Sequence, residues 1–143
     1  LNFEFLLKKM AILSTLGNYK NTGLLIIRLA LGAMFITYGY PKIMGGPEMW
    51  RGVGTSMNHV GITFGYMFWG FLAAVTETLG GFLLIIGLAF RPAALLLAFV
   101  MLVAALHHYK TEGFMSAGHP IELLFVFIGL ALVGPGKYSV DKR

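Results

Sequence analysis

The chain contains no cysteine. That single absence removes disulfides, thiolate metal ligands, iron–sulfur ligation and thiol redox chemistry together. Any redox role must therefore use a bound cofactor or a partner. Charge is scarce as well. Only 12% of the 143 residues are charged, against about 25% in a soluble domain, which is too few to coat a water-facing surface. The 57% hydrophobic content and the mean hydropathy of +0.78 point the same way. A lipid bilayer is the solvent that fits, because lipid-facing side chains need no charge. The 19 glycines form no phosphate-loop or dinucleotide pattern. No Ser/His/Asp set has credible spacing. The net charge of +5 lies at the ends of apolar runs, where headgroups and topology account for it. With no basic patch interleaved with aromatics, nucleic acid is excluded as a partner.

What is present is a set of apolar runs in a chain of single-domain length. Residues 1–16 are apolar but carry Glu4, Lys8 and Lys9. They read as an amphipathic interfacial segment, extending to residue 21, with a disordered tail as the alternative. No small-residue cleavage site follows them, so no cleaved leader is expected. Four spans then follow, over Thr22–Met44, Met67–Phe90, Ala93–Tyr109 and Ile121–Val133. Pro41 with Gly45-Gly46, Arg91-Pro92 and Gly134-Pro135-Gly136 punctuate them. The last two spans are short for a bilayer. The linker between the first two, with Trp50, Arg51 and His59, reads as a short interfacial helix. The fold class expected is an all-α membrane protein, a four-transmembrane-helix bundle over 22–141 with an N-terminal interfacial helix.

Four spans put both termini on one side. Lys8, Lys9, Lys20, Arg28, Arg91, Lys137, Lys142 and Arg143 fall on that side, and Lys42, Arg51 and Lys110 on the other. The excess of basic residues places the termini in the cytoplasm.

Charges inside a span are expensive, so they face protein or water and often mark function. Helical spacing sorts them. Arg28, Gly32, Phe35, Gly39 and Lys42 form one stripe, and Gly70, Ala73, Glu77, Gly81, Leu84 and Arg91 nearly form another. Small residues on a stripe let membrane helices approach closely, so these charges point inward. By the same rule Leu97, Met101, Ala104, Ala105 and His108 share a face of the third span. Glu122, Phe125, Gly129 and Val133 share one of the fourth. At 1.5 Å per residue, Glu77, His108 and Glu122 lie about 21, 22 and 18 Å from the cytoplasmic ends of their spans. A polar layer of Lys42, Glu77, His108 and Glu122 follows, offered to a quinone headgroup or a lipid. Arg28, Arg91 and Asp141 are candidates for structural ion pairs. An Arg28–Glu77 pair must bridge an axial gap of about 12 Å; Asp141, Ser139 or a lipid phosphate compete for Arg28. The plainer reading of Glu77 beside a cation is a clamp between helices. No metal site is expected. The residues that would build one are His107, His108 and His119 with the two glutamates, and adjacent histidines point about 100° apart on a helix.

The segments RLALGAMFITYGYPKIMGG, ETLGGFLLIIGLAFRPAALLLAFVMLVAALHHY and GHPIELLFVFIGLALVGPGKYSVD resemble the DoxX family, within the wider group that includes DoxD-like proteins. The likeness rests on order and spacing. Arg28 comes with Gly32 and with Gly39 three residues before Lys42. Glu77 follows with Gly80-Gly81, then Arg91, then Gly134-Pro135-Gly136 with Ser139 and Asp141. The resemblance implies a four-helix bundle in the bacterial inner membrane. DoxD-like relatives are subunits of thiosulfate:quinone oxidoreductase, and some DoxX proteins associate with redox-defence enzymes. The function expected is thus a non-catalytic accessory or anchoring subunit of a quinone-linked oxidoreductase complex, with other membrane subunits as partners. A small-molecule or proton carrier, or a purely structural protein, are the alternatives. The resemblance carries over no catalytic residue; Lys42, Glu77 and Arg91 carry over as motif positions.

Overall fold

The computed structural model describes residues 2–10 and 13–142. Arg143, one of the basic residues counted toward orientation, and Ala11 and Ile12 of the N-terminal segment lie outside the described residues. Helix α1 spans Phe3–Met10, and a short 3-10 turn over Ser14–Tyr19 leads into α2, Lys20–Met44. Then come α3 (Gly46–Gly54), a second 3-10 turn (Thr55–Val60), α4 (Tyr66–Ile86), α5 (Phe90–Glu112) and α6 (Phe114–Val133). There is no strand among the described residues. Helices α2, α4, α5 and α6 are each long and apolar enough to cross a membrane. The chain is a four-helix membrane protein with an additional N-terminal helix.

Helices α5 and α6 run longer than the spans expected from the sequence. Gly45 N–H donates to the Pro41 carbonyl at 2.9 Å, so α2 runs through Pro41 to Met44, the end expected from the sequence. Pro120 lies inside α6, buried against the bundle. It removes only its own N–H from the ladder, and tertiary packing outweighs that loss. The third and fourth spans are therefore 23 and 20 residues long, enough to cross a bilayer.

Two glycine contacts seat α2 along α4. A Cβ on Gly81 would lie 2.6 Å from the Gly32 carbonyl oxygen, and one on Gly39 would lie 2.7 Å from the Thr78 backbone nitrogen. Only bare backbone allows this approach. Helix α5 runs along α6, and Phe35 meets Phe127 edge-on, ring centroids 5.1 Å apart, across the bundle. Leu84, Phe90 and Leu97 complete the apolar centre.

Arg28 pins the end of the bundle that carries the chain termini. It is 1% exposed. Its Nε donates to the Leu84 carbonyl (2.9 Å) and Nη2 to Ile85 (2.7 Å), two of the carbonyls left open at the α4 C-terminus. Nη1 donates to the Pro135 and Tyr138 carbonyls of the C-terminal tail, at 3.2 and 2.7 Å. The tail also docks through Asp141, whose carboxylate accepts the Ala89 and Phe90 N–H groups (3.1 and 2.8 Å) where α5 begins. An anion is favoured there by the helix dipole.

At the opposite end α3 is pressed onto α4. A Cβ on Gly70 would collide with the Trp50 carbonyl, and one on Gly54 with that of Tyr66. Gly70→Ala should therefore destabilise the bundle by about 3 kcal/mol or more, since backbone cannot yield as a side chain does. Gly23→Ala, where a Cβ meets nothing within 4 Å, should be neutral or slightly stabilising. Denaturant unfolding in detergent micelles checks both, and equal effects would contradict this packing.

Candidate functional site

Lys42 and Glu77 come together because Gly39 lets α2 touch α4 one turn below Lys42. The Lys42 ammonium donates to both carboxylate oxygens of Glu77, at 3.0 and 2.8 Å. The Glu77 side chain is 5% exposed and that of Lys42 33%. The pair is thus buried on its acidic side and open on its basic side. Two of the three ammonium protons are used. The third has no partner among the described residues, and Lys42 is one of the residues that line a cavity.

Trp50 holds Lys42 in place from outside. Its indole N–H points at the Lys42 and Ile43 carbonyls, 3.0 and 3.2 Å away, which lack helical partners at the end of α2. This residue fixes α3 over the ion pair. The sequence shows it only as an aromatic in a linker.

The cavity, of about 700 Å³, lies among α3, α4 and α5. Its origin is topological. The short turn at Gly87–Ala89 holds α4 and α5 together at one end, where Leu97 fills the space beside Gly80. The two helices then open apart, and α3 with its following turn closes the gap from the side. Glu77 and Lys42 line it together with Leu72, Phe99, Val100 and Val103, and His107 and His108 line it too. Glu77 is about 14 Å from the end of α4, and His108 about 27 Å from the start of α5. They occupy different depths of one cavity, the glutamate nearer its floor and the histidine nearer its mouth. The common level expected for them does not hold, because Gly87 ends α4 earlier than Arg91-Pro92 suggests.

The mouth carries a polar chain. His59 Nε2 and His107 Nδ1 are 3.3 Å apart. His108 Nδ1 lies 3.2 Å from a Glu112 oxygen, whose other oxygen accepts the Ser116 hydroxyl at 2.8 Å. Burial first, then the charges of Lys110 and His107, hold His59 below the usual imidazole range.

Glu122 is not part of this site. The buried residues of α6 are Ala117, Pro120, Phe127, Leu130 and Ala131. Glu122 lies about 200° round from Pro120, on the outer face, and is exposed. The stripe used to place it inward is the outward one: Phe125 and Val133 are 65% and 62% exposed. Turned toward lipid near mid-span, an acidic side chain costs on the order of 3 kcal/mol. His119 is also exposed on α6, away from His107 and His108. No group of three or more His, Asp or Glu among the described residues is placed to share a metal ion. Among the described residues, the structural ion pairs expected at Arg28, Arg91 and Asp141 do not form either. Arg91 Nε donates to the Ala131 carbonyl at 2.9 Å, and Arg28 and Asp141 are taken by backbone groups as described above. Open backbone at helix ends outcompetes the distant charges.

The DoxX family model matches residues 23–110, which include α2 to most of α5 and the whole Lys42–Glu77 pair. The chain belongs to the DoxX family. Similar proteins include the inner membrane protein YphA of Escherichia coli (strain K12), 32% identical over 84% of this chain and 89% of that one. The inner membrane protein YqjF of the same organism is 33% identical over 86% of this chain and 92% of its own. No solved structure matches the chain.

In this DoxX protein, removing Lys42 alone (Lys42→Met) should cost about 2–3 kcal/mol, because the buried carboxylate then loses its partner. The double variant Lys42→Met/Glu77→Gln should recover most of that. A thermal-unfolding double-mutant cycle measures the coupling, and additive losses would contradict a direct pair. His59 favours its neutral form when folded. The stability it contributes is therefore complete above the unfolded imidazole pKa of about 6.5 and is lost as pH falls through the lower folded value. The pH dependence of tryptophan fluorescence should show this step, and His59→Gln should abolish it.

Proposed function

We propose that the chain is an accessory, ligand-holding subunit of a quinone-linked oxidoreductase complex, in the bacterial inner membrane with both termini cytoplasmic. On this reading residues 22–141 form the membrane domain, and residues 1–21 lie at the interface. The observation that carries the proposal is the cavity, apolar on most of its walls and polar at Lys42, Glu77, His107 and His108. Ligand sites are typically built in this way, with apolar walls and a few placed polar groups.

The donor set suits a quinone. A ring and its prenyl tail fit the wall of Leu72, Phe99, Val100 and Val103, and the uncommitted Lys42 proton suits a carbonyl oxygen. Glu77 keeps the ammonium charged and aimed, since its carboxylate is buried and fully engaged. When bound, a quinone would supply two-electron chemistry that no side chain of this cysteine-free protein supplies. The protein's own contribution is to bind, to orient through Lys42, and to keep water from the floor of the cavity. The termini are assigned to the cytoplasm by the basic residues gathered at their end of the bundle.

Native mass spectrometry after gentle extraction tests the reading. The expected result is an oxidoreductase partner together with bound quinone. The quinone should be lost in Lys42→Met/Glu77→Gln while helical content and melting temperature hold. Recovery of the wild-type chain alone and quinone-free, from membranes that contain quinone, would overturn it. Equal quinone retention by the double variant would remove the site assignment.

A further inference from the structure

Glu122 is the feature that neither the bundle nor the cavity explains. It is an ionisable side chain near the middle of a spanning helix, exposed, with no hydrogen-bond or ionic partner among the described residues. Lipid is a poor neighbour for it. The rest of the outer face of α6 is equally unusual. At about 100° per residue, Met115, Gly118, Phe125 and Gly129 all fall within about 60° of Glu122. Met115 is 89% exposed. A Cβ added to Gly118 or Gly129 meets nothing within 4 Å, so neither glycine is used for packing within the chain. Gly118 leaves a shallow groove beside Met115, His119 and Glu122.

We propose that this face of α6 is the contact surface of a parallel two-fold dimer, in which Glu122 of each copy meets His119 of the other. Charge complementarity chooses a second copy as the occupant. His119 lies three residues before Glu122, about 60° round the helix and about 4.5 Å nearer the far end. Two copies in one membrane share an orientation, so a two-fold axis along the membrane normal brings like heights together. Each imidazole then stands within reach of the opposite carboxylate, and the acid–base contact forms twice. It also separates the two carboxylates. Gly118 and Gly129 flank the pair and allow the two α6 backbones to approach. A foreign helix would have to supply both an acid and a base at matching heights, whereas a second copy does so by symmetry. The dimer leaves the cavity free, because α3, α4 and α5 lie on other sides of the bundle.

The absence of native cysteine makes the test direct. Single variants Met115→Cys and Val133→Cys, one near each end of the same face, are oxidised in native membranes. Both should give a cross-linked species of twice the chain mass. Phe82→Cys, on an exposed position of α4, should stay monomeric. Gly118→Leu, added to each, points away from the bundle. It should abolish cross-linking while melting temperature is unchanged. Glu122→Leu should lower the cross-linked fraction severalfold. Cross-linking no greater than that of Phe82→Cys, or a product with a different protein, would overturn the dimer. So would full cross-linking in the Gly118→Leu background. None of these variants touches Lys42 or Glu77, so the outcome is independent of quinone binding.

Discussion

One ion pair sets the terms for the interior. An ammonium and a carboxylate inside a membrane bundle persist only in contact, because either one alone is costly in that surrounding. Lys42 and Glu77 meet that demand from different helices, and the contact fixes the register of α2 against α4. The close glycine contacts at Gly39 and at Gly32 with Gly81 bring the helices near enough for the two charges to touch. The asymmetry of burial then gives the pair a second capacity. Glu77 is sealed in and saturated, while Lys42 keeps a face and a proton for something else.

The two ends of the bundle do different work around this pair. At the end holding the termini, Arg28 and Asp141 gather the open backbone groups of α4, α5 and the C-terminal tail into one knot. The polar side chains of that end are satisfied among the described residues. At the far end α4 and α5 diverge from their short turn, and α3 is wedged against α4 at Gly54 and Gly70. The space left over is the cavity. Rigidity at one end and divergence at the other follow from the same topology, so a ligand would be held by a mouth that rests on a fixed base.

Much of this was legible in the residues. The α2 and α4 stripes were readable because charge and glycine fall on the same face there. Arg28, Gly32, Phe35, Gly39, Glu77, Gly81 and Leu84 are all buried. The same rule misled on α6. Small residues beside a charge mark a face that avoids lipid, but they do not say whether the neighbour is in the same chain. Glu122 and Gly129 mark such a face, turned away from the bundle. The partners of Arg28 and Asp141 were not legible either. Carbonyl and N–H groups at helix ends carry no sequence signature, so charge pairing was the visible option. Trp50 was hidden for the same reason: its partners are the last carbonyls of α2, backbone groups that carry no sequence signature. The first span ends at Met44 as read, whereas α6 begins at Phe114, seven residues before the expected Ile121, because packing carries the helix through Pro120.

The most direct test of the central contact is solid-state NMR of the protein in native-like lipid. Lysine would be labelled with ¹⁵N at Nζ and glutamate with ¹³C at Cδ. Bonds of 3.0 and 2.8 Å from Lys42 to the two Glu77 oxygens predict one strong Nζ–Cδ dipolar coupling, absent in Glu77→Gln. A wild-type spectrum without that coupling would mean that the two charges are apart in the membrane, and the account of register and site would fail with it.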